Sequence, residues 1–344
     1  MSTSPYDAYV STDGKADYTL PSLALAAGKK NIFIQPGVYL ETGNVVVPDG
    51  AALTGALRGQ CIIDFKGNDA HVDCTSSFGT VQTAGTISVT KGSTTVTGDS
   101  TTFTSLPSGT CYLVLNGRTF LIASIVSNTE LTLSRAYNGN SLTAVNYQAL
   151  KLNSFNSIKN VSIRDSSTYG LYISGCRKCE VSHVNIEGCG VANLFLENVY
   201  ESNFSSFEVD FSEADGVVVN GSSTCTFDNA KALSNVECGI KCDGNCSFLL
   251  FSKINAMGNG SANISLNGDN CALMLAVAMN SSEGCLVNGS LTKVCGCSFT
   301  FNNINLHASS TCSNLLFCDV NVNDAGSQLF YDETSNSQYG IAYP

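Results

Sequence analysis

The 344-residue chain has 28 acidic and 17 basic residues, a formal net charge of -11, with charged residues at only 13%, 31 Gly and no Trp. Without any run of Lys or Arg, such a chain repels a polyanionic phosphate backbone, which argues against a nucleic-acid partner. No stretch approaches about 18 consecutive apolar residues, and the opening Met1-Ser2-Thr3-Ser4-Pro5 has neither a basic nor an apolar leader region, so we expect neither a membrane span nor a secretory leader unless one has been removed.

Residues 1–79 read as an N-terminal cap followed by the first strands. Leu20 to Gly28 predicts a short apolar helix ending at Gly, suited to covering the open end of a core and blocking edge-to-edge pairing. Strands are expected at Ile32-Phe33-Ile34, Asn44 to Val47, Leu53-Thr54-Gly55 and Ile62-Ile63-Asp64. Residues 80–150 change character. The segments Gly85 to Val89, Ser93 to Val96, Cys111 to Leu115, Arg118 to Ile122 and Glu130 to Leu133 alternate as hairpin strands, with Lys91-Gly92 and Asn116-Gly117 as turns. They predict a small β-barrel or sandwich inserted into the larger fold.

Residues 151–325 repeat with a period of 23. Val161, Val184, Phe207 and Ala230 form one apolar series, Leu171, Leu194, Val217 and Ile240 a second, and Val181, Phe204, Phe227, Leu250 and Leu273 a third. Within each repeat the side chains alternate, as in Val161 and Ile163 against Ser162 and Arg164. A unit this short cannot bury its apolar face alone and must stack on its neighbours. The L-x-x-L-x-L pattern of leucine-rich repeats is missing, and three short strands separated by turns such as Ser174-Gly175, Asn220-Gly221 and Asp243-Gly244 predict an all-β fold, a right-handed parallel β-helix with three sheets. The spacing loosens after Ile240, where Ile264 and Leu286 are the next expected members, and residues 326–344 read as a polar tail.

The same spacing bears on the 16 cysteines. Cys179, Cys225 and Cys271 share the inward phase but stand 46 apart, two coils. At about 4.8 Å per coil their separation is roughly 9.6 Å, beyond the ~7 Å Cα limit for a disulfide. They predict free thiols filling the core, and hence folding in a reducing compartment. Cys176 with Cys179, Cys242 with Cys246, and Cys295 with Cys297 are fragments of metal-ligand spacing without a paired framework, so no metal site is expected.

The run D-A-Y-V-S-T-D-G-K-A-D-Y-T (Asp7 to Thr19), with I-Q-P-G-V-Y (Ile34 to Tyr39), V-V-P-D-G (Val46 to Gly50) and L-T-G (Leu53 to Gly55), resembles the opening of the pectin lyase-like superfamily. That superfamily includes pectin methylesterases, pectate lyases and phage tailspike-type proteins, and its opening motifs belong to the fold and carry no chemistry. The insert resembles those of phage and virus β-helix proteins. The resemblance implies a β-helix, and for the spike branch a homotrimer, although the distinctive carboxy-terminal trimerisation domain of tailspikes is missing.

Two outward columns are candidates for function. Arg164, Glu187 and Asp210 stand 23 apart on one outward phase. Carboxylates about 5 Å apart repel and raise one pKa, leaving an acid beside a base, the arrangement glycosidic chemistry uses. The plainer reading is a solvated ladder in which Arg164 offsets the charge. By resemblance to pectate lyases, Arg164 could act as a base with Ca²⁺ bound by carboxylates; otherwise no cofactor is expected. The second column, Tyr172, Phe195 and Val218 before Lys241, suggests stacking on a sugar ring or contact with another subunit.

Family-specific catalytic signatures are missing. There is no N-T-D segment with nearby D-D and G-H-G, no paired-Asp pattern, and His71, His183 and His307 stand apart from any nucleophile motif. The sequence therefore favours a non-catalytic structural or glycan-binding β-helix of a virion or other surface, folded in a reducing host cytoplasm. A polysaccharide lyase or glycoside hydrolase is the alternative. A secreted adhesin would need a removed leader and oxidised cysteines.

Overall fold

The computed structural model describes residues 5–75, 83–106, 111–154, 156–309, 313–323, 328–332 and 338–342. Three strands and their corners make one coil, illustrated by Ser157–Lys159, Ser162–Ser166 and Tyr169–Ser174. Each strand pairs in parallel with its counterpart one coil on: Ile158 with Val181, Ile163 with Ile186, and Leu171 with Leu194. Stacking produces three ladders around one apolar core, the arrangement the period of 23 requires.

The corner between the first two ladders is a single residue in the left-handed region: Asn160, His183, Ser206, Asn229 and Lys253 all have φ between 53° and 56°. One such residue turns the chain sharply without interrupting the neighbouring strands, and Asn tolerates it best among residues with a Cβ. A second corner is tied by buried amides. Asn235 Nδ2 donates to Asn259 Oδ1 at 2.9 Å, Asn259 Nδ2 to Asn263 Oδ1 at 2.7 Å, and Asn263 Nδ2 to Asn302 Oδ1 at 3.2 Å. The same side chains serve backbone groups of that corner, so the polar atoms taken into the core are paired.

The expected apolar columns are buried, with two corrections. Phe251, and not Leu250, stands in register with Phe227, because that coil holds 24 residues and the next holds 22. The inward position therefore passes to a ring, and Phe204, Phe227 and Phe251 stack with centroids 5.0 and 4.6 Å apart. Likewise Cys285 takes the inward place beside Ile264, while Leu286 pairs with Ser265 on the outward phase. Cys179, Cys225 and Cys271 are buried free thiols, as the spacing predicted. Cys295 and Cys318 are joined in a disulfide across adjacent coils, with Cα atoms 4.7 Å apart. Comparing only positions two coils apart missed this pair.

The short helix runs Pro21–Ala26, with Pro at its start, and adds Ala24 and Leu25 to the core. The insert is an antiparallel sheet of seven strands with its own core, including Ile87, Phe103, Leu113, Phe120 and Leu131. It docks on the third corner of the β-helix. Thr119 Oγ1 donates to Glu201 Oε1 at 2.6 Å, Arg177 pairs with Glu201 at 2.7 Å, and the Arg177 guanidinium lies 4.4 Å above the Tyr112 ring. At the other end, Gln328–Asp332 and Gln338–Ala342 pair in parallel with the preceding coil, so the coiling continues into the segment expected to be a tail. No helix among the described residues is long and apolar enough to cross a membrane.

Candidate functional site

The second ladder aligns Asp64, Arg164, Glu187 and Asp210 on its outer face. Arg164 does not turn toward the carboxylates that follow it. Its Nη2 and Nε lie 2.8 and 3.1 Å from Asp64 Oδ2, and Asp64 is nearly buried. This hydrogen bond raises the guanidinium's already high pKa further, so Arg164 is unsuited to act as a base and is a weak counter-charge for Glu187. Asp64 lies 100 residues earlier in the chain, beyond the insert, where the period of 23 does not reach.

Asp210 is the most perturbed carboxyl of the column. Burial, then the negative charge and hydrogen bond of Glu208, then Glu187, push it up to about 7. Its Oδ1 is sealed from solvent with no hydrogen-bond partner, and the side chain is 8% exposed. Glu208 in turn lies 3.5 Å from Lys231 Nζ and 3.9 Å from Arg58 Nη2. Glu187 and Asp210 are thus neighbours in the ladder, but the charge of Glu208 bears on Asp210 more strongly than that of Glu187. Glu208, Arg58 and Lys231 were not legible as partners because two sit outside the column and one reaches in from the coil before the insert. Asn185 and Asn255, on the same ladder, also have buried Oδ1 atoms without partners.

The third ladder aligns Tyr172, Phe195, Val218 and Lys241. Val218 is buried, whereas the two rings are half-buried and joined by others. Tyr169 stacks on Tyr172 with centroids 5.2 Å apart and meets Phe195 at 4.7 Å; His71 packs edge-on against both tyrosines at 5.7 and 5.6 Å. Strict alternation would send Tyr169 inward with Leu171. The strand is irregular at Gly170, where a Cβ would meet Ile186 Cγ2 at 2.2 Å, and only glycine permits that approach. Tyr172 Oη donates to Glu197 Oε2 at 2.7 Å, fixing the ring. Burial and Glu197 push its phenol up to about 12.

Of the other histidines, His183 occupies an exposed corner, and His307 Nδ1 lies 3.2 Å from Glu283 Oε1. Among the described residues, no three His, Cys, Asp or Glu side chains converge to hold a metal ion.

A family model described as "Right handed beta helix region" matches residues 147–273. No curated protein matches the chain by sequence. Among solved structures, the tailspike protein gp49 from Pseudomonas phage LKA1 is similar at 14% identity and a TM-score of 0.59, over 86% of this chain and 56% of that one. Geobacillus virus E2 ORF18 is similar at 12% identity and a TM-score of 0.62, over 92% of this chain and 55% of that one. The chain therefore spans little more than half the length of these two viral proteins. The A-module of the mannuronan C-5 epimerase AlgE4 from Azotobacter vinelandii is similar at 11% identity and a TM-score of 0.54, over 92% of both chains. At such identities the likeness is one of fold, and together with the parallel ladders it places the chain: it is a right-handed parallel β-helix.

Proposed function

We propose that the protein is a glycan-binding β-helix of a virion-type surface, which holds polysaccharide on the aromatic platform of Tyr169, Tyr172 and Phe195. The observation that carries this reading is the platform itself: three half-buried rings on an outward sheet face, with Tyr172 fixed by Glu197. Aromatic faces of this kind take the C–H face of a sugar ring, and ordering the side chains beforehand lowers the cost of binding. The similarity to phage tailspike protein gp49 is consistent with a virion surface; homotrimeric assembly is part of the same proposal, and the buried free thiols support folding in a reducing host cytoplasm. Replacing Tyr172 and Phe195 by Ala should abolish retention of the protein on immobilised polysaccharide while preserving its circular dichroism. Retention unchanged by both substitutions would remove the platform. If the same rings were a subunit contact, Tyr172→Glu with Phe195→Glu would convert an oligomer to monomers in sedimentation.

A second reading, a lyase or hydrolase acting through Glu187 and Asp210, is favoured by one observation, the carboxyl of Asp210 held protonated near neutral pH. The sealed Oδ1 counts against it, because a general acid must reach the leaving oxygen. Glu187→Gln and Asp210→Asn test this reading, which predicts loss of turnover with the fold intact; full activity in both variants would eliminate it. A calcium-dependent lyase would in addition lose activity on chelation.

A further inference from the structure

The insert and the β-helix enclose a cleft of about 360 Å³, within the range of ligand pockets. One wall is the hairpin turn Asn116-Gly117, with φ of 46° and 71°; the other is the β-helix corner carrying Thr224 and Phe248. The walls are fixed to each other. Thr224 Oγ1 donates to Gly117 O at 2.7 Å, and a Cβ on Gly117 would meet Phe248 Cδ2 at 2.7 Å, so glycine lets the hairpin lie against the ring.

Phe248, like Phe211 and Phe301, has a left-handed backbone. Successive coils take a left-handed residue at this corner, Lys178, Glu201, Thr224, Phe248, Asn270 and Leu291, and a bulky side chain there is strained. The corner leaves its side chain 44% exposed beside the cleft. Around it stand the exposed amides of Asn116, Asn138 and Asn140 and the exposed guanidinium of Arg118. Among the described residues no Asp or Glu lines the cleft, although the chain carries a net charge of -11. None of the arginine ion pairs among the described residues involves Arg118.

We infer that this cleft binds a carboxylated sugar unit, with Phe248 stacking on the ring face, the three amides meeting hydroxyls and Arg118 clamping the carboxylate. A planar guanidinium matches a carboxylate through two parallel hydrogen bonds, and a ring face supplies the apolar contact a sugar needs. The inference rests on the glycan-binding reading and adds to it a second subsite and the charge of its ligand.

Calorimetric titration of the full chain with trigalacturonate, trimannuronate and maltotriose tests it. The expected result is binding of at least one acidic trisaccharide more than tenfold tighter than maltotriose. Arg118→Gln should remove that preference, and Phe248→Gly should abolish binding. Because glycine relieves the left-handed strain, Phe248→Gly should keep or raise the thermal midpoint, separating loss of the site from loss of the fold. Tyr172→Ala with Phe195→Ala should leave trisaccharide binding in place. Binding unchanged in the Arg118 and Phe248 variants but lost in the platform variant would overturn the cleft and leave the glycan-binding reading standing. No binding of either acidic trisaccharide would also overturn the cleft, and retention of polysaccharide on the platform would then decide the wider reading by itself.

Discussion

Arg164 and Asp64 are hydrogen-bonded neighbours, 2.8 Å apart at their closest, although 100 residues separate them in the chain. The coil interrupted by the insert closes as if the insert were missing, and the charge pair sits at that junction. Replacing Asp64 by Ala removes both close hydrogen bonds of the guanidinium and leaves it only the longer contact of Nε with Asp165 at 3.6 Å. We expect a loss of about 1–3 kcal/mol in urea denaturation. A change within about 0.5 kcal/mol, the range of ordinary surface substitutions, would mean that the pair is solvated and weak.

Asp210 gives the fold a pH dependence of definite sign. Its carboxyl titrates at about 7 when folded, against a usual 3.8, so between these values the folded chain holds a proton that the unfolded chain has released. Stability contributed by the group is fully present below about pH 4 and is lost as the pH rises through 7, by about 4 kcal/mol at most. Asp210→Asn should therefore raise the thermal midpoint at pH 8 and change it little at pH 4. An equal fall at both pH values would show the carboxyl to be needed for packing and not for its proton.

The register of the core is testable by a pair of neighbours. Phe251→Ala removes a fully buried ring from the Phe204–Phe227–Phe251 stack and should cost about 3–5 kcal/mol. Leu250→Ala, on the half-exposed phase, should cost less than about 1 kcal/mol. The reverse order would mean that the coil holds 23 residues and not 24.

Peptide mapping of alkylated protein, unfolded without reductant, should find Cys179, Cys225 and Cys271 alkylated and Cys295 linked to Cys318. Oxidation of the three core thiols would instead favour the secreted alternative. Reduction of the Cys295–Cys318 bridge should lower stability by about 3 kcal/mol, the loop-closure value for a loop of this size.

The β-helix was legible because each residue of a coil meets its counterpart in the next, which converts packing into a fixed spacing that survives in sequence. What depended on interrupting that spacing was not legible. A coil of 24 residues moved the core position from Leu250 to Phe251, and a coil of 21 residues placed Cys285 where Leu286 was expected. Asp64 was separated from Arg164 by the insert, and the break at Gly170 turned Tyr169 toward Tyr172 against the alternation. The columns Arg164, Glu187, Asp210 and Tyr172, Phe195, Val218 could be written from spacing; which members pair charges or lie open could not, because those depend on side chains arriving from elsewhere in the fold.

The most direct measurement is a screen of the purified protein against acidic and neutral polysaccharides, recording both retention and the release of reducing or unsaturated ends. We predict retention on at least one glycan without release, lost when Tyr172 and Phe195 are replaced. Release of new ends would contradict the non-catalytic reading and direct attention to Glu187 and Asp210, and no retention on any glycan would contradict the glycan-binding account.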